Sequence, residues 1–151
     1  ISSKNIQNHF MKNFTTCWNF YYILQIGIMT TQKKTFEDIE SWHLWGICYV
    51  NKFYVLKNNN TKNSINIFEK SIAKMTGPGL NAMTISEMSG IPRATVVRKL
   101  NILLKKKILV VDEKKQYHPG KKFNEIKETN RNIIDLLAKF TTSVYNDMLI
   151  S

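Results

Sequence analysis

Arg93, Ala94, Thr95, Arg98, Asn101 and Lys105 fall within one short stretch, and their side chains donate hydrogen bonds, carry positive charge or stay small. That combination makes and breaks no bonds; it suits recognition of a polyanion. A guanidinium can pair with a guanine edge through two parallel hydrogen bonds, and a threonine hydroxyl can donate to a phosphate. The chain holds three arginines, and two of them, Arg93 and Arg98, lie here. In a sequence that otherwise uses lysine, planar bidentate donors in one short segment indicate a specific demand. Between Thr84 and Lys107 the only acid is Glu87, against Arg93, Arg98, Lys99, Lys105, Lys106 and Lys107.

Other chemistry finds less support. His9, His43 and His118 belong to three different predicted elements, and none has a carboxylate or cysteine at catalytic or metal-ligand spacing. No catalysis, metal or cofactor is therefore expected. The "GPG" of residues 77–79 lacks the lysine and the helix start that a phosphate-binding loop needs. Cys17 and Cys48 are far apart in sequence and read as two reduced, buried thiols of a cytoplasmic protein.

The elements that must position the basic residues can be read locally. Thr84 followed by Glu87 has the spacing of a capping box, which starts a helix at Thr84. Gly90 suits the left-handed turn that ends it, and Pro92 suits the first position of the next helix. The result is a short helix, a tight turn and a second helix from Pro92 to about Lys107. Ile85, Met88 and Ile91 are expected to pack toward the second helix, with Ser86 allowing close approach. In the second helix Val96, Leu100, Leu103 and Leu104 share one face, while Ala94, Arg98, Asn101 and Lys105 share the opposite one. "ILVVD" and "QYHP" around "EKK" predict a hairpin from Ile108 to about Pro119, with Lys114 and Lys115 at its tip.

Over "TISEMSGIPRATVVRKLNILLKKKILVVD" and "YHPGKKFNEI", the chain resembles winged helix-turn-helix transcription regulators, particularly the MarR family. The resemblance covers about a third of the chain. It implies a DNA-reading role for Arg93, Ala94, Thr95, Arg98 and Asn101, a wing role for Lys114 and Lys115, and dimerisation through terminal helices. Where that family commonly ends the recognition helix with glycine, Lys106 and Lys107 stand, and "DEKKQ" lacks its usual Asp-x-Arg pair.

The flanking sequence is long-period and apolar. Phe10, Phe14, Cys17, Tyr21, Leu24 and Ile28 form one helical stripe, followed by a break at "TTQKK". The uncharged run from Asn13 to Gln32 could span a bilayer by length, but its polar interruptions favour a buried helix. A second helix starts after Thr35, with Phe36, Ile39, His43, Ile47, Val50 and Tyr54 on one side and Trp42, Trp45, Tyr49 and Phe53 on another. Two apolar faces call for a partner subunit. A polar "NNNTKN" linker precedes a short helix carrying Ile65, Phe68, Ile72 and Met75. The last helix has Ile133, Leu137, Phe140, Val144 and Met148 in a stripe behind a polar first half, "NEIKETNRN".

These patterns give a mainly α fold: a winged helix-turn-helix with a short β-hairpin wing, flanked by long N- and C-terminal helices forming a dimer interface. The expected divisions are 1–62 for the N-terminal helices, 63–120 for the winged helix-turn-helix and 121–151 for the C-terminal dimerisation helix. The chain has 151 residues and a formal charge of +11, which points to a polyanionic partner. Asparagine, isoleucine and lysine are abundant throughout, so the arginines weigh more than the lysine excess. The sequence opens on Ile1 rather than methionine, which leaves room for an upstream portion. The expected function is sequence-specific binding of double-stranded DNA by a cytoplasmic homodimer reading a pseudo-palindrome, without membrane association. Trp42, His43 and Trp45 admit a pocket for a small-molecule effector, or simply dimer core. A winged-helix adaptor that binds protein, and an RNA binder using the same basic face, are the competing readings.

Overall fold

The computed structural model describes residues 2–58, 70–75, 77–120 and 123–150. Among these the chain is mainly helical with one small antiparallel sheet. Helices α1 (Ser3–Lys12), α2 (Phe14–Thr35) and α3 (Ile39–Asn58) precede α4 (Ala82–Ser89) and α5 (Arg93–Lys105). Strands β1 (Leu109–Val111) and β2 (Tyr117–Pro119) follow, and then α6 (Phe123–Ile150). Most of the "NNNTKN" linker, Ile65 and Phe68, the expected division between 62 and 63 and the side chains of 124–130 lie outside the described residues. Contacts divide the chain into Phe36–Ile126 and a second unit made of Ile1–Thr35 with Lys127–Ser151. Helix α3, grouped by its sequence with the N-terminal helices, thus belongs to the same unit as α4, α5 and the hairpin.

Within Phe36–Ile126, α3 packs on α4, α5 and β2, α4 packs on α5, and α5 leads onto β1. Leu44, Ile85, Val96, Leu100, Leu103 and Leu109 are almost wholly buried and form the centre of the core, with Ile72 from the helical segment at 70–73 joining it. Trp45 stacks between Phe36 and Tyr49, with ring centroids 5.1 and 4.2 Å away. Only part of α3 is covered, however. His43 is exposed, as are Ile39, Val50, Phe53 and Tyr54, because one chain supplies neighbours for only one side of this helix.

Several boundaries move, each for a local reason. No break occurs at "TTQKK"; α2 continues to Thr35. The chain turns instead at residues 36–38, where Asp38 caps α3 by accepting the Ser41 N–H at 2.8 Å and the Ser41 hydroxyl at 3.1 Å. The stripe beginning at Phe10 is interrupted at Asn13, where α1 ends. Helix α4 starts at Ala82 rather than Thr84, because Asn81 provides the cap and accepts the Thr84 N–H at 2.9 Å. Met88 is exposed rather than packed on α5.

In the other unit α1 packs on α2. Gly27 of α2 lies against Leu136 of α6, so close that an added Cβ would stand 2.9 Å from its methyls. Cys17, Leu24 and Val144 are buried there. Phe14, Trp18, Tyr22, Ile26 and Met29 leave an apolar row of α2 exposed, which corrects the expectation of a buried helix. On α6 Val144 is buried and Ile133, Leu136, Phe140 and Met148 are partly covered, while Leu137 is exposed together with Ile134, Tyr145 and Leu149. Among the described residues, no helix is long and apolar enough to cross a membrane.

Candidate nucleic-acid interface

The turn between α4 and α5 is fixed by its own residues. Gly90 takes φ 69°, a left-handed conformation that costs glycine nothing. The Ser86 hydroxyl donates to the Ile91 carbonyl at 2.7 Å, and the Ser89 hydroxyl accepts the Ile91 N–H at 3.2 Å. Pro92 is the cap of α5, one position earlier than its sequence suggests, with φ −54° and extended ψ. From this start Val96, Leu100 and Leu103 turn inward and Leu104 is partly covered.

The opposite face carries the candidate contacts. Arg93, Ala94, Arg98, Asn101 and Lys105 are exposed, and Thr95 is half-buried beside them. Among the described residues no carboxylate pairs with Arg93, Arg98 or Lys105. Their donors therefore face water, which a phosphate or a base edge could replace.

Two lysines of the same helix region behave differently, and this was not legible in their spacing. Lys99 is folded inward, its Nζ 2.6 Å from Asp38 Oδ2 and 3.4 Å from Glu40 Oε2. Lys106 pairs with Glu37 at 2.7 Å. The acidic "FEDIE" segment thus neutralises part of the charge counted along α5. Hydrogen bonding to Asp38 raises the Lys99 pKa above its ordinary value. Burial works against ionisation of Asp38, but hydrogen bonds from Lys99 and Ser41 outweigh it and hold that carboxyl below the usual range. The basic character left for a partner resides mainly in Arg93, Arg98, Lys105 and Lys107.

Helix α5 ends without glycine. Lys107 adopts φ 59°, its N–H reaching the Leu104 carbonyl at 2.9 Å while that of Ile108 reaches Leu103 at 3.0 Å. These paired bonds are the usual termination around a left-handed residue, and Lys107 here takes the position where glycine is most common.

The hairpin after α5 pairs Leu109 with Pro119 and Val111 with Tyr117. Its loop closes through Lys115 N–H to the Asp112 carbonyl at 3.0 Å, and Lys115 itself takes φ 58°. Lys114 and Lys115 are exposed at this tip. The hairpin is anchored twice near its loop end. Leu80 and Tyr117 exchange backbone hydrogen bonds of 3.2 and 2.7 Å, which ties β2 to the segment entering α4. His118 is buried with Nε2 3.1 Å from Asp112 Oδ2. Gly79 passes so close that a Cβ would meet this imidazole and the Tyr117 carbonyl. The Gln116 N–H and then the His118 imidazole hold the Asp112 carboxyl below its ordinary pKa.

The residues considered for an effector pocket differ in burial. Trp45 is part of the core stack, Trp42 is half-buried against that core, and His43 lies on the exposed face of α3. Cys48 is likewise a core group, its thiol pushed up to about 12 by burial. Two histidines do meet carboxylates, contrary to the sequence spacing: His118 across the hairpin, and His9, whose Nε2 is 2.8 Å from Asp147 Oδ2. No protein family, curated protein or solved structure matches this chain.

Proposed function

We propose that the chain is a sequence-specific, duplex-DNA-binding regulator of the winged helix-turn-helix type, with α5 as the recognition helix and the β1–β2 hairpin as its wing. One observation carries the reading: α5 presents Arg93, Arg98, Asn101 and Lys105 to solvent, while Lys99 and Lys106 pair with Asp38, Glu40 and Glu37. Arg98 and Asn101 have the chemistry to read base edges in a major groove; Thr95, Lys114 and Lys115 suit the sugar-phosphate backbone. The MarR-like arrangement of the sequence agrees with this assignment.

A homodimer belongs to the same proposal. The exposed rows of α2 (Phe14, Trp18, Tyr22) and α6 (Ile134, Leu137, Tyr145) suit a two-fold seam between copies, and such a dimer would favour a pseudo-palindromic site. Such a protein acts in the cytoplasm, where free Cys17 and Cys48 fit a reducing compartment.

The deciding experiment selects bound duplexes from a random pool at physiological salt. Enrichment of a two-fold symmetric motif is the expected result. Absence of binding to any duplex, even at low salt, would overturn the reading. The adaptor alternative would then take its place, with the exposed Ile39, Val50, Phe53 and Tyr54 of α3 as the surface for a protein partner.

A further inference from the structure

We propose that His9, Cys17 and Asp147 form a binding site for a borderline transition-metal ion, Zn2+ first, where α1, α2 and α6 meet. A ring nitrogen of His9, Sγ of Cys17 and a carboxylate oxygen of Asp147 all lie within 4.8 Å of one another, and His9 Nε2 is the nitrogen in contact with Asp147. His9 and Cys17 are buried, at 8% and 0% exposure, and the Asp147 side chain is 27% exposed. All three belong to the same compact unit.

The chain builds this cluster with regular spacing. His9, Asn13 and Cys17 are four residues apart in turn, and the Asn13 N–H bonds to the His9 carbonyl while the Cys17 N–H bonds to the Asn13 carbonyl, at 2.8 and 3.0 Å. The break between α1 and α2 therefore keeps the three side chains on one line, and the end of α6 brings Asp147 against it. Asn13 Nδ2 stands 3.0 Å from His9 Nδ1. A ligating histidine is normally oriented by a group bound to its other nitrogen, and Asn13 occupies that place.

The donor set narrows the ion. One imidazole nitrogen, one thiolate and one carboxylate suit Zn2+ at bond lengths of roughly 2.0–2.3 Å. Mg2+ and Ca2+ prefer oxygen alone. In tetrahedral geometry the ligand atoms stand about 3.3–3.6 Å apart, as those bond lengths require. The cluster needs only small side-chain shifts to reach this, opening the His9–Asp147 contact of 2.8 Å to admit the ion. A fourth position, on the Asp147 side, falls to water.

Proton balance follows from the contacts. A neutral His9 that accepts the Asn13 amide at Nδ1 carries its proton on Nε2, toward Asp147. On metal binding the imidazole proton moves to Nδ1, and Asn13 turns its amide to accept through Oδ1. The thiol of Cys17 gives its proton to solvent. One proton is released per ion, and the metal–sulfur bond forms without any change of oxidation state. The site does not depend on any role for α5.

The test uses the full, tag-free chain, stripped with EDTA and titrated with Co2+ as a spectroscopic probe and with Zn2+ against a chromophoric chelator. One ion per chain is expected, with a thiolate-to-cobalt charge-transfer band and release of about one proton. Cys17→Ser should abolish the band, and both Cys17→Ser and the isosteric Asp147→Asn should weaken Zn2+ by at least about tenfold. Cys48→Ser should change neither. Circular dichroism of each variant separates loss of a ligand from loss of the fold, and Asp147→Asn retains the thiol and the shape. Absence of a thiolate band in the native chain, a band that follows Cys48, or unchanged affinity in both ligand variants would each overturn the site.

Discussion

The unit from α3 to the hairpin and the unit of terminal helices satisfy their apolar surface in different ways. In the first, Val96, Leu100, Leu103 and Ile85 are buried in one core and α5 turns a mainly polar face to solvent, while α3 keeps Ile39, Val50, Phe53 and Tyr54 exposed. In the second, α2 and α6 each bury one side and leave an apolar row on the other. A helix whose second face is apolar gains further free energy only when something covers it, at roughly 25 cal/mol per Å² removed from water. On the proposed reading, a charged partner meets α5, and apolar association covers the exposed rows of the terminal helices.

Substitution can break the comparison most directly in the cores. Leu100→Ala should lower the unfolding free energy by about 3–5 kcal/mol, measured by urea denaturation, and the loss should not depend on protein concentration. Leu137→Glu should leave that unit folded and instead shift sedimentation from dimer to monomer. A concentration-independent destabilisation by Leu137→Glu would mean that the terminal helices are as self-contained as the other unit.

The next effect concerns the polar face. Arg98→Ala should cost about 1–3 kcal/mol on the selected duplex and relax preference at one base position. Lys114→Ala should weaken all duplexes alike and reduce the salt slope by about one. Equal losses on selected and random DNA for both variants would reduce the interface to nonspecific charge.

A smaller effect lies in the acidic turn before α3. Because the folded-state pKa of Asp38 is lowered, its contribution is present above the unfolded carboxylate value, about 3.9, and is lost as pH falls through the folded one. Asp38→Ala should remove that acid-side dependence and, through loss of the cap, destabilise by about 1–2 kcal/mol at neutral pH. Thermal unfolding between pH 2 and pH 7 checks both.

The smallest effect has the opposite sign. Lys107→Gly should stabilise by about 1 kcal/mol, because glycine relieves the left-handed backbone at φ 59°. Denaturation that shows a loss instead would assign Lys107 a side-chain role that outweighs its strain.

What the sequence disclosed was local. Gly90, the Pro92 boundary and the four-residue spacing from Val96 to Leu100 specify a turn and an inward face without help from distant residues. The hairpin followed from branched residues around a charged loop. Pairings across long separations left no such trace: Lys99 meets Asp38 sixty-one positions away, and His9 meets Asp147 across 138. Spacing therefore overstated the free charge of α5 and hid the cluster at His9. Thr84 was a plausible cap, yet Asn81 lies three residues earlier and its amide oxygen already holds the Thr84 N–H. Of the apolar stripe read on the last helix, Ile133, Phe140, Val144 and Met148 are at least partly covered within the chain, whereas Leu137 is exposed on the row proposed for the dimer seam.

The double hydrogen bond between Leu80 and Tyr117 has a thermodynamic consequence. It fastens both ends of the segment from 80 to 117, so the hairpin tip and α5 are already ordered before any ligand arrives. Association through this surface would then involve little coupled folding. Its heat-capacity change in titration calorimetry should track the apolar area covered at the contact, without the excess that marks a segment ordering as it binds.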